Sequence, residues 1–305
     1  MTKICIILPA YNEELTIKNV IESFHYEEPY DIWIVDNNST DNTNNIAVQT
    51  LKKLNNQGGV LFEEKPGKGN AVRKAFINLN YDIYVMCDAD MTYPADRLKD
   101  LIDPIINNNV DMVVGVRMSS YHVENKRRFH SFGNKLVLFL INKLFKSKLN
   151  DVMSGYRVFS KRFINAYPFL TDSFELETDM SIFALDNKYS IKEIDIDYKD
   201  RPAGSISKLN TIKDGFLVLL TIFNLFRFNK PLIFFSIISI ILFIFGLVSG
   251  YPVINEYLKT AYISRVPLAV LTVLFILASF VFLITGLILD SIPFHHKHLS
   301  NKRKI

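Results

Sequence analysis

Two aspartates, Asp88 and Asp90, directly follow an apolar run that ends at Cys87. In an extended segment, residues two positions apart point the same way, so these carboxylates repel each other unless a cation joins them. Hard oxygen ligands with open coordination positions suit Mg²⁺ or Mn²⁺ that also holds a diphosphate. Ordinary capping or loop aspartates are the alternative, but a position just after a buried strand favours the metal site.

The region before residue 210 alternates short apolar runs with amphipathic segments. The runs "KICIILPA", "DIWIVDN", "GVLFEE", "YDIYVMC" and "VDMVVGVR" predict strands, and the intervening segments predict helices, the first beginning at an asparagine cap. This order predicts an α/β fold with a mostly parallel sheet and helices on both faces. Ligands bind beyond the carboxyl ends of such strands. We therefore expect one edge to carry Tyr11, Asp36, Asp88, Asp90 and Arg117.

Two further motifs at strand ends have polar residues that suit a nucleotide. Asp36 could accept hydrogen bonds from a ribose or base, whereas a helix-capping role fits Ser39 and Asp41 better. The segment "KPGKGNAVR" lacks the spacing of a P-loop. Lys68 and Arg73 could still lie near the nucleotide, and simple turn chemistry is the alternative.

The C-terminal third has two uncharged apolar stretches, residues 231–250 and 266–289. Each reaches the roughly 20 residues needed to cross a bilayer core. The short connection predicts a hairpin, and basic residues on its outer flanks predict that the large N-terminal part and both termini are cytoplasmic. The sequence thus predicts an integral membrane protein, in the plasma membrane if the source is bacterial. Paired hairpins could associate into a homo-oligomer.

The domain organisation predicted from these features has four parts. Residues 1–210 form a cytoplasmic domain with a surface helix at about 131–147, and 211–229 form a juxtamembrane amphipathic helix. Residues 230–290 contain the two spans, and 291–305 form a basic tail. Ordinary core helices are the alternative for the two surface segments. The net charge of +4 is too mild to indicate nucleic acid, and Cys5 and Cys87 are expected to be buried, reduced thiols.

The segment "RPAGSISKL" combines two cations, two hydroxyls and a glycine just before the juxtamembrane helix. Such a set suits a lipid phosphate at headgroup height. Positive charge beside a membrane explains the cations but not the serines or the glycine. The predicted acceptor-phosphate residues are Arg201, Ser205, Ser207 and Lys208, with Arg127 and Arg128 as weaker candidates.

The ordered motifs resemble those of glycosyltransferase family 2. They are "LPAYNEE", "VDNNSTDNT", "KPGKGNAVR", "CDADMTYP", "GVR", "DVMSGYRVFS" and "RPAGSISKL", and they cover about residues 3–230. The chain is most similar to the polyprenyl-phosphate glycosyltransferase branch, some of whose members carry C-terminal spans. The resemblance implies a GT-A, Rossmann-like fold and inverting transfer from a nucleotide sugar.

The resemblance also implies roles for individual residues. The nucleotide sugar would be held by Pro9, Tyr11, Glu13, Asp36, Lys68, Asp88, Asp90 and Arg117, with Asp88 and Asp90 as the metal ligands. Many members have Gln where this chain has Thr92, so a third metal ligand is not implied. Catalysis would depend on Asp90, Asp151 and Arg117. The sugar and acceptor pocket would include Ser154, Arg157, Glu175 and Glu177, the two glutamates having exposed helix positions as the alternative.

The expected reaction moves one hexose, with UDP-glucose as the preferred donor, to a polyprenyl phosphate such as undecaprenyl phosphate, for cell-envelope glycan synthesis. A lipid monophosphate is mostly a dianion near neutral pH, since its second pKa is about 6, and it needs no strong base. GDP-mannose and UDP-N-acetylglucosamine stay open as donors. A processive polysaccharide synthase is disfavoured because Trp33, the only tryptophan, is not in a Q-x-x-R-W element. A non-catalytic nucleotide-sugar-binding scaffold is the third alternative.

Overall fold

A computed structural model describes residues 2–28, 30–117, 128–168, 176–199, 223, 226–227 and 230–302. For residues 108, 128–133 and 293–302 the backbone alone is described. The chain divides into two compact units, Met1–Leu219 and Leu220–Ile305. The finer domain boundaries given above stay predictions.

The first unit is built around one sheet. Its strands are β1 Ile4–Ala10, β2 Asp31–Asp36, β3 Gly59–Phe62, β4 Ile83–Met86, β5 Met112–Arg117, β6 Arg157–Ser160 and β7 Ile191–Ile196. They lie in the order β3-β2-β1-β4-β6-β5-β7. Strand β6 pairs antiparallel with β4 and β5, and the other pairs are parallel. The carboxyl ends of β1, β2, β4 and β5 therefore meet at one edge.

Helices cover both faces of this sheet. They are α1 Ile17–Glu27, α2 Thr43–Lys53, α3 Lys68–Asn78, α4 Leu98–Asn108, α5 Arg128–Phe145, α6 Lys161–Ala166 and α7 Leu176–Asp186. Alternate β1 residues serve the two faces: Ile6 and Leu8 pack with α1 and α4, whereas Cys5 and Ile7 pack with α3 and α7. Burying each such aliphatic side chain contributes about 1.5–3 kcal/mol. The predicted fold class is confirmed, and both cysteines are free and buried.

Strand β6 was not predicted as part of the sheet. It is four residues long and starts at the fully buried Arg157. A charged first residue hides so short a strand from an analysis of hydropathy. Strand β7 was also missed, because Lys192, Glu193 and Asp195 interrupt its isoleucines and leave neither a continuous apolar run nor a regular alternation.

Helix α1 begins later than predicted. Its N-cap is Thr16, which makes no capping side-chain hydrogen bond, and the backbone N–H groups of Thr16 and Ile17 both donate to the Glu13 carbonyl oxygen. Asn12 instead has a left-handed φ of 52°. The predicted asparagine cap is therefore wrong, because a turn over residues 13–16 separates β1 from the helix.

Helix α5 includes most of the predicted surface helix at 131–147. Val137 and Ile141 are buried, whereas Phe139 is 59% exposed. One side of the helix thus packs within the first unit and another side is open. A position of this helix in a membrane interface stays a prediction, and the segment 211–229 lies largely outside the described residues.

The second unit contains two long helices, α8 Pro231–Thr260 and α9 Val266–Lys302. Residues 231–260 and 266–292 are long and apolar enough to cross a membrane, and an 18-residue stretch within each has a mean hydropathy of 2.8. The helices pack closely at Gly246, where an added Cβ would lie 2.7 Å from Ile276. The Thr272 hydroxyl donates to Ser249 Oγ at 3.0 Å, so small and hydroxyl side chains stabilise the hairpin.

Candidate active site at the carboxyl edge of the sheet

The loop after β4 carries the two aspartates singled out above. Asp90 is buried, and its Oδ1 accepts hydrogen bonds from the Thr92 backbone N–H at 3.1 Å and the Thr92 hydroxyl at 2.5 Å. Met91 has a left-handed φ of 65°, an unusual conformation for a residue with a Cβ. Thr16 fixes the loop from the other side, since its hydroxyl donates to the Ala89 carbonyl oxygen at 2.8 Å.

Asp88 lies against a buried ammonium group. Lys68, the first residue of α3, contacts both Asp88 and Glu177 through Nζ. The Lys68 side chain is 12% exposed and that of Glu177 is 6% exposed. Burial alone would lower the pKa of Lys68, but the two carboxylates raise it well above its ordinary value. Lys68 is therefore a cation held between two acidic side chains.

Gly155 gives Asp88 the space that it occupies. A Cβ added at Gly155 would lie 2.5 Å from Asp88 Oδ2, so a larger residue would displace the carboxylate. The Gly155 backbone N–H donates to the Tyr93 hydroxyl at 2.8 Å. The loop before β6 is thus fitted to the loop after β4.

Arg117, the last residue of β5, makes a bidentate ion pair with Asp151. Its Nε lies 2.7 Å from Asp151 Oδ2, and its Nη2 lies 3.0 Å from Oδ1. Its guanidinium carbon also lies 5.6 Å from the centre of the Tyr198 ring. Burial would raise the pKa of Asp151, but Arg117 and backbone donors lower it below its ordinary value. The carboxylate is therefore ionised and weakly basic.

Replacing Arg117 with Met should change the acid dependence of stability. In the wild-type protein the lowered pKa of Asp151 contributes stability above the ordinary carboxyl pKa and loses it as pH falls through the folded value. In Arg117→Met, burial without a counter-charge raises that pKa, and ionised Asp151 destabilises the fold. The two Tm values should differ most at pH 7 and converge only as pH falls below the ordinary carboxyl value and through the lowered pKa of Asp151. A Tm difference that does not depend on pH would contradict this.

The residues expected to hold the nucleotide lie around the ends of β1 and β2. Tyr11 is 44% exposed, whereas Asp36 is 2% exposed and accepts from the Ser39 backbone N–H at 3.0 Å and Asn44 Nδ2 at 2.9 Å. The Glu13 backbone N–H donates to the Thr43 hydroxyl at 2.8 Å. Asp36 thus organises the following loop, and its use by a nucleotide stays a prediction.

Ser154 and Arg157, both assigned to the sugar pocket, are fully buried. Arg157 donates to the carbonyl oxygens of Val152 and Ser154, both at 2.8 Å, and to the Ser181 hydroxyl at 2.9 Å. Burial lowers the pKa of Arg157. These contacts join the loop carrying Asp151 to α7, so Arg157 stabilises that loop, and its place in the sugar pocket stays a prediction.

Several predicted site residues cannot be placed. Glu175, Arg201, Ser205, Ser207 and Lys208, and the side chain of Arg128, lie outside the described residues. Their roles stay predictions.

The carboxylates after β4 suit a divalent cation that also takes ligands from outside the protein. Over the described residues, no cluster of three His, Cys, Asp or Glu side chains forms a ready metal cage. Asp88 and Asp90 alone suit an ion that takes its other ligands from phosphate and water, as Mg²⁺ commonly does. The Lys68 ammonium already stands beside Asp88 as a cation, so the donor set is compatible with positive charge at this position.

Sequence reasoning missed the aromatic and hydroxyl groups that support the site. Thr16, Tyr93 and Tyr198 have no charge or metal-ligand chemistry to single them out, and their contacts join segments that are distant in the chain. The only available signal was that Thr92 and Tyr93 belong to the same motif as the aspartates.

The fold and this edge define a class: an α/β protein of the GT-A type, with an acidic loop where a nucleotide sugar binds in that class. The profile described as Glycosyl transferase family 2 matches residues 5–167. The chain belongs to this family and is a glycosyltransferase, as the resemblance implied.

Relatives and a solved structure agree with this assignment. Glycosyltransferase AglJ of Haloferax volcanii is 28% identical over 295 residues, which cover 96% of this chain and 95% of the relative. A Methanococcus voltae relative, named UDP-N-acetylglucosamine--dolichyl-phosphate N-acetylglucosaminyltransferase, is 30% identical over 222 residues, covering 63% and 84%. The crystal structure of Mycobacterium tuberculosis glucosyl-3-phosphoglycerate synthase with Mn²⁺ and UDP-glucose has a TM-score of 0.57 at 21% identity, covering 74% and 78%, which shows the shared fold.

Proposed function

We propose that this glycosyltransferase moves one hexose from a UDP-sugar, with UDP-glucose as the donor, to a polyprenyl phosphate, with inversion at the sugar carbon. The observation that carries the proposal is the sheet edge where the Asp88–Asp90 loop and the Arg117–Asp151 pair follow parallel strands. The Methanococcus voltae relative is named for a UDP-sugar donor and a dolichyl-phosphate acceptor. Two helices long and apolar enough to cross a membrane suit an enzyme that uses a lipid acceptor.

The proposed reaction does not need a protein side chain to act as a strong general base. A lipid monophosphate is mostly a dianion at neutral pH and can attack the sugar carbon directly. Asp151 is poorly suited to accept a proton, because its pKa is lowered and Arg117 occupies both of its oxygens. We infer that Asp151 holds Arg117 in position, and that Arg117 stabilises negative charge on the diphosphate.

Asp88 and Asp90 would hold Mg²⁺ or Mn²⁺, which supplies positive charge that stabilises the departing diphosphate. Thr92 keeps the Asp90 carboxylate oriented through two hydrogen bonds. The segment with Arg201 and Lys208 would bind the acceptor phosphate. Basic residues flanking the hairpin support a cytoplasmic position for the catalytic unit.

A donor and acceptor screen tests this function. Purified full-length protein is incubated with labelled UDP-glucose, UDP-N-acetylglucosamine or GDP-mannose, with and without undecaprenyl phosphate and Mn²⁺, and labelled lipid is extracted. We expect labelled lipid from UDP-glucose only when both lipid phosphate and Mn²⁺ are present. Donor binding without turnover would favour the scaffold, and label in a polymer would favour a polysaccharide synthase. Label from another donor alone would correct the sugar.

The same assay tests the acceptor segment. The double substitution Arg201→Ala with Lys208→Ala should raise the KM for lipid phosphate by roughly tenfold or more while leaving the KM for UDP-glucose nearly unchanged. Lys52→Ala with Lys53→Ala removes the same charge from α2 and serves as the matched control. An equal loss for both substrates would place the acceptor phosphate elsewhere.

A further inference from the structure

Lys68 is shared by two carboxylates that belong to different parts of the chain. Its ammonium contacts Asp88 Oδ1 in the loop after β4 and Glu177 Oε1 in the first turn of α7. All three side chains are half-buried or buried, with exposed fractions of 12%, 30% and 6% for Lys68, Asp88 and Glu177. Ion pairs in such surroundings are screened less by salt than surface pairs.

This arrangement places a positive charge where the proposed function needs a divalent cation. A metal ion at Asp88 and the Lys68 ammonium repel each other at close range, so both cannot contact one carboxylate at full strength. Glu177 provides a second carboxylate for Lys68, in the first turn of α7. A shift of Lys68 toward Glu177 would free Asp88 without leaving a buried charge unpaired.

We propose that Lys68 is a resident cation that competes with the divalent metal for Asp88, and that Glu177 is the positioning carboxylate that receives Lys68 when the metal binds. This inference rests on the proposed function, because that function supplies the metal. It assigns Glu177 to the control of metal binding rather than to the sugar pocket.

Mn²⁺ binding to the full-length protein, measured by electron paramagnetic resonance without donor, tests the inference. Lys68→Met should bind Mn²⁺ about tenfold more tightly than the wild type, because the competing charge is gone. Glu177→Gln should bind it severalfold more weakly, because Lys68 is then left with Asp88 alone. In the double variant, Glu177→Gln should have little further effect.

The double variant separates this mechanism from a simple change in local charge. If Lys68 and Glu177 acted on the metal independently through space, their effects would add. Lys65→Met removes an equal charge from the exposed start of the same loop and should leave Mn²⁺ affinity nearly unchanged. Lys68→Arg keeps the cation and should bind Mn²⁺ about as the wild type does; its Tm and that of Lys68→Met show that each variant is folded.

The outcomes also separate this inference from the proposed function. Mn²⁺ binding by the wild type with equal affinities in the Lys68 and Glu177 variants, or with additive effects, overturns the inference and leaves the function standing. Absence of Mn²⁺ binding by the wild type, with and without UDP, overturns the metal site in the proposed function and this inference with it.

Discussion

The substitution Asp90→Asn should lower kcat/KM for sugar transfer by about 10³-fold or more, corresponding to about 4 kcal/mol of transition-state stabilisation. The loss is expected because an amide oxygen is a neutral, weaker ligand for the divalent cation that Asp90 would hold. The variant should still fold, because the Asn oxygen can accept the two hydrogen bonds that Thr92 donates to Asp90 Oδ1. Initial rates with extracted labelled lipid, together with Tm, measure both effects.

Asp96→Asn is the matched control for this experiment. Asp96 is exposed in the short helix at Ala95–Arg97, close to Asp90 in the chain, and should leave the rate nearly unchanged. Unchanged turnover in Asp90→Asn would remove the metal from the proposed mechanism. A large fall in Tm would instead show that Asp90 mainly stabilises its loop.

The gathering of Asp36, Asp88 and Arg117 at one edge of the sheet could be predicted because it follows from a rule about parallel strands. Each of the runs ending near Asp36, Asp88 and Arg117 is a continuous apolar strand, and parallel strands bring their carboxyl ends to one edge. The structure places these residues there. The local pattern of apolar residues was sufficient to predict this part of the fold, because each strand is a separate, strongly apolar segment.

The pairing of charges could not be predicted in the same way. Lys68 and Glu177 are 109 positions apart, and Arg117 and Asp151 are 34 apart. No periodic pattern relates such residues, since their contact depends on how β6 is inserted between β4 and β5. The motifs marked most of these residues as functional, but which carboxylate faces which cation is decided by tertiary structure.

Arg157 shows why finding a residue in a motif does not by itself establish its role. The motif "DVMSGYR" singled it out, and the resemblance assigned it to the sugar and acceptor pocket. In the structure it is 0% exposed and donates hydrogen bonds to Val152, Ser154 and Ser181. A guanidinium can donate to three acceptors at once from a fixed planar group. Here it donates to two carbonyl oxygens of the loop in place of backbone N–H groups.

Arg157→Met should therefore act mainly on stability. It leaves two buried carbonyl oxygens without donors, and we expect a loss of about 3–5 kcal/mol in the free energy of unfolding. In a unit of this size that loss should lower Tm by roughly 6–20 °C. Arg157→Lys should lower Tm less than Arg157→Met does, because the ammonium keeps the charge and can still donate to part of the network. It should lower Tm to some extent, because one ammonium cannot reach all three acceptors.

Arg97→Met is the matched control, since Arg97 is 40% exposed and pairs with Asp100 on the surface. Such a pair contributes about 0–1 kcal/mol, so Tm should change little. Thermal unfolding followed by Trp33 fluorescence, with KM for the donor measured well below Tm, separates the two roles of Arg157. A direct sugar contact would raise KM while leaving Tm nearly unchanged. The buried network instead requires a fall in Tm, with any loss of activity following from displacement of the loop that carries Asp151 and Gly155.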